Sequence, residues 1–193
     1  MAEIAVETEL ITERLRLRTY QEADAEAFLT LIQENKTRLA PSFPSRVRVT
    51  NRSEEALRLI KRFRVDWQLG QVYAFGIWRK EQNVYIGDIS LKNFDNSIPK
   101  AEVGYYLAAA SEGRGYCTEA LRAVTNFAFE QLDVNKLYIR CSLGNNRSYA
   151  LAERCGYQRE GLVRHDFRDH TRQLIDVYYY GITRPDYRAF YQN

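Results

Sequence analysis

Three strand-like runs, Val72 to Arg79, Val84 to Phe94 and Ala101 to Ala108, follow one another with short polar turns at Glu81-Gln82-Asn83 and Asp95 to Pro99. Parallel strands need a long crossover between them, so connections this short imply an antiparallel meander. Glu13 to Tyr20 alternates Leu with Arg at period two and reads as an earlier strand. Thr19 and Glu22 have capping-box spacing ahead of a helix that gathers Ala27, Phe28, Leu31 and Ile32 on one face. Pro41 to Pro44 reads as loop. A second helix from about Ser53 carries Ala56, Leu57, Ile60, Phe63 and Trp67 in one stripe and ends at Gly70. Beyond the meander, Tyr116, Ala120, Val124, Phe127 and Ala128 recur at helical spacing, Leu137 to Leu143 returns to strand, and Asn146 to Arg154 is helical. Two long strands near Tyr157 to Phe167 and Leu174 to Thr183 complete the order. The expected fold class is α/β (α+β), with a mixed, largely antiparallel seven-stranded sheet flanked by about four helices.

A length of 193 residues suits one well-buried core, so the expectation is a single domain over 1–193. The balance of 28 basic against 25 acidic residues gives a net charge of +3. That excess makes no case for direct nucleic-acid binding, which calls for a basic patch, yet it allows a site for one polyanionic ligand. The segment MAEIAVETEL is acidic where a signal peptide is basic, and the longest apolar stretch, Val103 to Ala110, is far too short to span a bilayer. Cys117, Cys141 and Cys155 form no CxxC pair and are odd in number, which points away from a disulfide framework. A soluble, cytoplasmic protein without membrane partners is expected.

Glu112-Gly113-Arg114-Gly115-Tyr116-Cys117 places two glycines between a strand and a helix. Glycine permits a tight turn and lets backbone N–H groups approach a ligand without interference from a Cβ. The first helical turn adds unpaired N–H groups and positive potential, a cradle for pyrophosphate, and Arg114 can add a charge-assisted bond. The competing reading is an ordinary glycine-containing turn. The spacing departs from the dinucleotide fingerprint GxGxxG and lacks the Lys-Ser/Thr of a P-loop, which weakens the nucleotide readings.

The segment from Ala101 to Tyr157 resembles the acetyl-CoA half of GNAT acetyltransferases. More narrowly it resembles the RimJ/RimL branch, with its "EIGYWL", "GKGYATEA", "NxxS" and "ERxGF" signatures. These stand here as Glu102 to Leu107, Gly113 to Ala120, Asn145 to Ser148, and Glu153 to Tyr157. Four motifs in order are far more specific than any one, and LITERLRLRTYQEAD extends the likeness to nearly the whole chain. The resemblance implies acetyl-CoA as co-substrate, no metal, a cofactor half at about 101–157, and an acceptor side at about 20–70 and 160–185. Two departures stand out: Glu112 opens the loop where the family often has Gln or Arg, and Cys117 closes it in place of Gly or Ala.

In this family a gap between the fourth and fifth strands admits the pantetheine arm, which implicates the backbone around Tyr106 and Leu107 as pantetheine contacts and oxyanion donors. The loop residues Gly113, Arg114, Gly115, Tyr116, Cys117 and Thr118 take the pyrophosphate end by the same likeness. Glu102 occupies the position of an acidic general base, acting directly or through water, against the alternative of an exposed strand glutamate. Asn145 corresponds to the asparagine that bonds pantetheine, and it also suits an N-cap. Ser148 matches the branch's proton donor to the CoA thiolate, with a helix-surface serine as the alternative. The tyrosine that many GNAT enzymes use as acid is replaced by Ala152.

Cys117 reads as packing rather than as an acetyl carrier. His165 and His170 lack a third partner for a metal and are expected at the substrate mouth or in solvent. Tyr178 to Tyr180 reads as strand packing, with one ring able to reach the acceptor site. The resemblance implies acetyl transfer to a primary amine, in the first place the α-amino group of a protein or peptide N-terminus, with a small molecule such as a polyamine, amino sugar or antibiotic as the alternative. A CoA-binding module without catalysis is the remaining reading. The assembly is expected to be a monomer or homodimer.

Overall fold

The computed structural model describes residues 6–192, residue 96 excepted. Its centre is the predicted meander: β3 (Tyr73–Arg79), β4 (Val84–Asp95) and β5 (Lys100–Leu107), paired antiparallel in sequence order. The early strand is β2 (Leu15–Arg18), antiparallel to β3, and it pairs on its other side with a short strand, β1 (Glu9–Ile11). β6 (Lys136–Ser142), β7 (Gln158–Arg168) and β8 (Leu174–Thr183) follow, giving the order β1-β2-β3-β4-β5-β6-β8-β7. The sheet thus has eight strands among the described residues rather than seven. The three-residue β1 is too brief for a period-two pattern to show, and only its hairpin with β2 defines it.

The predicted helices are α1 (Ala25–Glu34), α4 (Ser53–Gln68), α5 (Tyr116–Gln131) and α6 (Asn146–Arg154). Three short ones join them: α2 (Lys36–Leu39), α3 (Pro44–Arg48) and α7 (Arg184–Tyr191). α3 begins on the last residue of the predicted loop, with Pro44 at its first position, where the missing N–H costs nothing. The capping box before α1 falls at Gln21 and Asp24 rather than Thr19 and Glu22: the Asp24 carboxylate accepts from the Gln21 N–H at 2.7 Å. Gly70, in the left-handed region at φ 65°, closes α4 as expected.

Apolar side chains collect on both faces of the sheet. One core joins β2–β6 and β8 to α5, α6 and α7 through residues such as Phe75, Ile89, Val124, Phe127 and Leu137. The other lies under α1–α4 and holds Phe28, Ile60, Phe63, Trp78 and Tyr106.

β5 and β6 form the sheet's parallel pair, and their pairing extends only from Lys100–Lys136 to Glu102–Tyr138. Beyond it β5 runs on to Leu107 and β6 to Ser142. The two strands therefore diverge and leave a wedge in the middle of the sheet.

Candidate active site

The wedge opens into a cleft of about 1240 Å³ lined by β5, β6, the glycine loop, the start of α6 and the segment from α2 to α3. Side chains alternate along β5. Ala101, Val103, Tyr105 and Leu107 lie against the α5 core, while Tyr106 lies in the core under α1–α4. The same alternation puts Glu102 on the Tyr106 face. The backbone alternates as well. The Ala108 N–H donates to the Ile86 carbonyl at 2.8 Å, and the Tyr106 carbonyl lies against Gly87, so both peptide groups face β4. The main chain of Tyr105 and Leu107 accordingly faces the wedge. Of the two residues expected to offer backbone to a thioester, Leu107 has its amide on the open side and Tyr106 has not. Arg38 of α2 already reaches this edge and donates to the Leu107 carbonyl.

At the mouth, Gly113 and Gly115 have φ of 73° and 78°, a region that only glycine enters without strain. Gly115 is the N-cap of α5, so the helix's first N–H groups open on the loop. Gly113, Gly115, Tyr116, Cys117 and Thr118 line the cleft, whereas Arg114 is exposed outside its wall. The Arg114 carbonyl accepts from Arg14 Nη1 at 2.9 Å, and Arg14 also pairs with Glu119 at 2.8 Å and stacks over the Tyr116 ring. Arg14 thereby braces the loop from behind. Glu112 does not leave the loop acidic: its two oxygens accept from Arg38 and Arg147, each at 2.5 Å. Burial holds the Cys117 thiol well above its ordinary pKa, which favours packing over nucleophilic chemistry.

On the α5 side of the wedge, the Asn145 side chain accepts from the Ser148 N–H at 3.2 Å and caps α6, while Asn145 itself lines the cleft. The Ser148 hydroxyl lies 2.8 Å from the Tyr105 hydroxyl and 3.1 Å from Cys141 Sγ. Ala152 is fully buried and supplies no acid at the position where a tyrosine is the alternative.

On the opposite face Glu102 is 5% exposed, so the surface-strand alternative is set aside. Its Oε2 accepts from Asn93 at 2.7 Å and from Arg140 at 2.9 Å, and Oε1 lies 3.4 Å from Lys92 Nζ. Arg140 also meets the Asp166 carboxylate at 3.2 Å, which accepts from the Tyr179 hydroxyl at 2.7 Å. Burial, and next this bond, push the Tyr179 phenol up and keep it the donor. Tyr179 stacks on Tyr138, while Tyr178 and Tyr180 pack on Tyr149, so one ring of the tyrosine run is on the acceptor face. The outer wall is Phe43, edge-on to Tyr106 at 5.0 Å. Just behind it, Arg46 of α3 pairs with the fully buried Asp88 at 3.1 Å. Burial opposes the Arg46 charge, but Asp88 and the Tyr106, Tyr20 and Tyr85 hydroxyls together outweigh it, and the guanidinium is held above its ordinary pKa. His165 and His170 are exposed, and among the described residues no three His, Cys, Asp or Glu side chains cluster as a metal would need.

Sequence reasoning missed Tyr105, Cys141, Lys92, Arg140, Asp166, Arg38 and Arg14. Tyr105 was legible in part: it is three residues from Glu102 on the same strand, and alternation sends the two to opposite faces. The others converge from distant segments of the chain, which no local pattern reveals.

Residues 14–158 match a known family, Acetyltransferase (GNAT) domain. This chain belongs to the GNAT acetyltransferase family. It is 26% identical over 173 residues to the ribosomal-protein-serine acetyltransferase of Escherichia coli (strain K12), covering 89% of this chain and 95% of that one. A 78-residue stretch is 44% identical to YdaF of Bacillus subtilis (strain 168), covering 40% of this chain and 43% of that protein. The structure titled RimL, ribosomal L7/L12 α-N-protein acetyltransferase, in complex with coenzyme A, superposes with a TM-score of 0.81 at 23% identity, covering 90% of this chain and 96% of that one. The fold is the GNAT fold, and the chain is an acetyl-CoA-dependent N-acetyltransferase. Among the described residues no helix is long and apolar enough to cross a membrane.

Proposed function

We propose that this chain transfers the acetyl group of acetyl-CoA to the α-amino group of a protein or peptide N-terminus. The observation that carries the reading is the wedge, with Ser148 on one face of the sheet and Glu102 on the other. The pyrophosphate lies on Gly113 to Thr118, with Arg114 at its margin, and the pantetheine arm passes Asn145 into the wedge. A thioester there has the Leu107 amide on its carbonyl side, where developing negative charge is stabilised. The amine attacks from the Glu102 face and the thiolate departs towards Ser148.

Each side moves one proton. The attacking nitrogen passes its proton through a water at Glu102 Oε1 to that carboxylate, which releases it to solvent; Oε2 is filled by Asn93 and Arg140. The departing sulfur gains the Ser148 proton, and Ser148 recovers one from solvent. The net products are an amide and a free thiol. With the carboxylate so engaged, the amine must arrive largely neutral. At pH 7 an α-amine of pKa about 8.0 is roughly 10% neutral, and a lysine of pKa about 10.4 roughly 0.04%. A polyamine fits less well, since Lys92 and Arg140 stand beside the carboxylate it would seek.

The same reading makes the chain a soluble cytoplasmic enzyme, monomeric or homodimeric, and three free cysteines support the reducing compartment. The name of the E. coli relative supports a ribosomal protein as acceptor. The test is release of free thiol from acetyl-CoA against a panel of N-terminal peptides and small amines. Turnover on peptides with a free α-amine, absent from N-blocked peptides that carry lysine, is the expected result. Turnover on small amines alone would refute it.

A further inference from the structure

A serine hydroxyl has one proton to give and two lone pairs to fill. Around Ser148 the neighbours determine how these are used. Tyr105 lies 2.8 Å away and Cys141 Sγ 3.1 Å away. Desolvation pushes the Tyr105 phenol well above its ordinary pKa, and burial pushes the Cys141 thiol up to about 11. Both neighbours therefore keep their protons at neutral pH.

Among the described residues, Ser148 is the hydrogen-bond partner of the Tyr105 hydroxyl. Were Ser148 to donate to Tyr105, the phenol proton would be left with no protein acceptor, and the phenol, far more acidic than a serine hydroxyl, is the better donor of the two. Tyr105 is thus the donor and Ser148 the acceptor. The Cys141 S–H, a weak donor, can take the second lone pair. Neither neighbour then receives the Ser148 proton, and the direction left for it is the cleft that Ser148 lines.

We propose that Tyr105 is a positioning residue for departure of the thiol: by donating to Ser148 Oγ it aims the serine proton into the wedge and polarises that O–H bond. This rests on the reading of Ser148 as proton donor. Tyr105 touches no reacting atom and keeps its own proton throughout. What it supplies is orientation and the mutual strengthening of two consecutive hydrogen bonds.

The test is a double-mutant cycle of Tyr105→Phe and Ser148→Ala, read as kcat, the KM for acetyl-CoA and the melting temperature. Tyr105→Phe is expected to lower kcat about tenfold, the worth of one hydrogen bond, without moving KM and with the melting temperature lowered by only a few degrees. The double variant is expected to match Ser148→Ala, since Tyr105 acts only through the serine. An unimpaired Tyr105→Phe beside an impaired Ser148→Ala overturns the proposal and leaves the Ser148 reading intact. An unimpaired Ser148→Ala overturns the Ser148 reading itself. Multiplying defects mark Tyr105 as acting independently and also overturn the proposal. Should Tyr105→Phe melt early, 3-fluorotyrosine at position 105 keeps the ring and strengthens the donor. A kcat at or above that of the unmodified enzyme is then expected, and a lower one counts against the proposal.

Discussion

Asp88→Asn is the most informative single perturbation of the acceptor wall, because it keeps the side-chain volume and removes only the charge. Asp88 is fully buried and 3.1 Å from an Arg46 guanidinium whose side chain is itself only 13% exposed. The same carboxylate accepts from the Tyr20 hydroxyl at 2.6 Å. Removing one partner of a buried pair strands the other charge and costs about 3–5 kcal/mol. The tyrosine adds little, because its hydroxyl also lies 2.9 Å from that of Tyr85. Folding stabilities run to about 5–15 kcal/mol, so the loss is a large fraction of the whole and lowers the melting temperature by about 10 °C. Arg46 anchors α3 and donates to the Tyr106 hydroxyl at 3.1 Å, and Phe43 at the edge of α3 forms the cleft wall against Tyr106. The KM for the acceptor should therefore rise while acetyl-CoA affinity holds. Urea denaturation and acceptor titration measure the two effects. A stability loss below about 1 kcal/mol would refute the argument that the charge pair is what holds this wall. So would a failure of the apolar double variant Arg46→Met with Asp88→Leu to recover most of the loss, since an apolar pair of similar volume replaces a buried ion pair at little cost.

Two further outcomes follow from the loop and the thiols. Gly115→Ala puts a Cβ on a residue at φ 78°, 3.3 Å from Arg14 Nη2. The left-handed conformation then costs about 1–2 kcal/mol, and calorimetry should show acetyl-CoA binding weakened roughly 5–30-fold, or stability lowered by the same amount if the loop keeps its shape. Unchanged affinity and unchanged stability together would contradict the cradle. Cys141 has its pKa pushed up to about 11 by burial, so less of it is thiolate at any neutral pH than in an unfolded chain at about 8.5. At pH 8 its alkylation by iodoacetamide should be about two orders of magnitude slower in the native protein, rising with pH towards the folded pKa. Equal native and denatured rates would show the thiol to be open.

Much of the fold was legible because its strands are long enough to carry a period. β3, β4 and β5 fell within a residue or so of their predicted limits, and α6 and β8 coincide with theirs. What escaped was short or cooperative. β1 exists through its pairing with β2, and α2 and α3 are single turns whose stability comes from packing rather than from pattern. The site divides in the same way. Motif residues on one segment, such as Gly113, Gly115, Asn145 and Ser148, were readable in order. The partners that define their chemistry were not: Arg140 reaches Glu102 across strands, Arg14 braces the loop from a hundred residues away, and Tyr105 meets Ser148 only after β5 and α6 converge.

The wedge has a consequence for how the molecule behaves as a whole. Across the middle of an eight-stranded sheet, the ladder between β5 and β6 spans only Lys100–Glu102 and Lys136–Tyr138. The rest of the coupling between the two halves passes through the helices and through side chains such as Arg140, which reaches Glu102 across the seam. Such a seam is a natural boundary between cooperative units, and amide exchange should report β6 to β8 opening apart from β2 to β5. A ligand seated in the gap acts as the missing length of ladder. Filling it should slow exchange on both flanks together, turning two units into one.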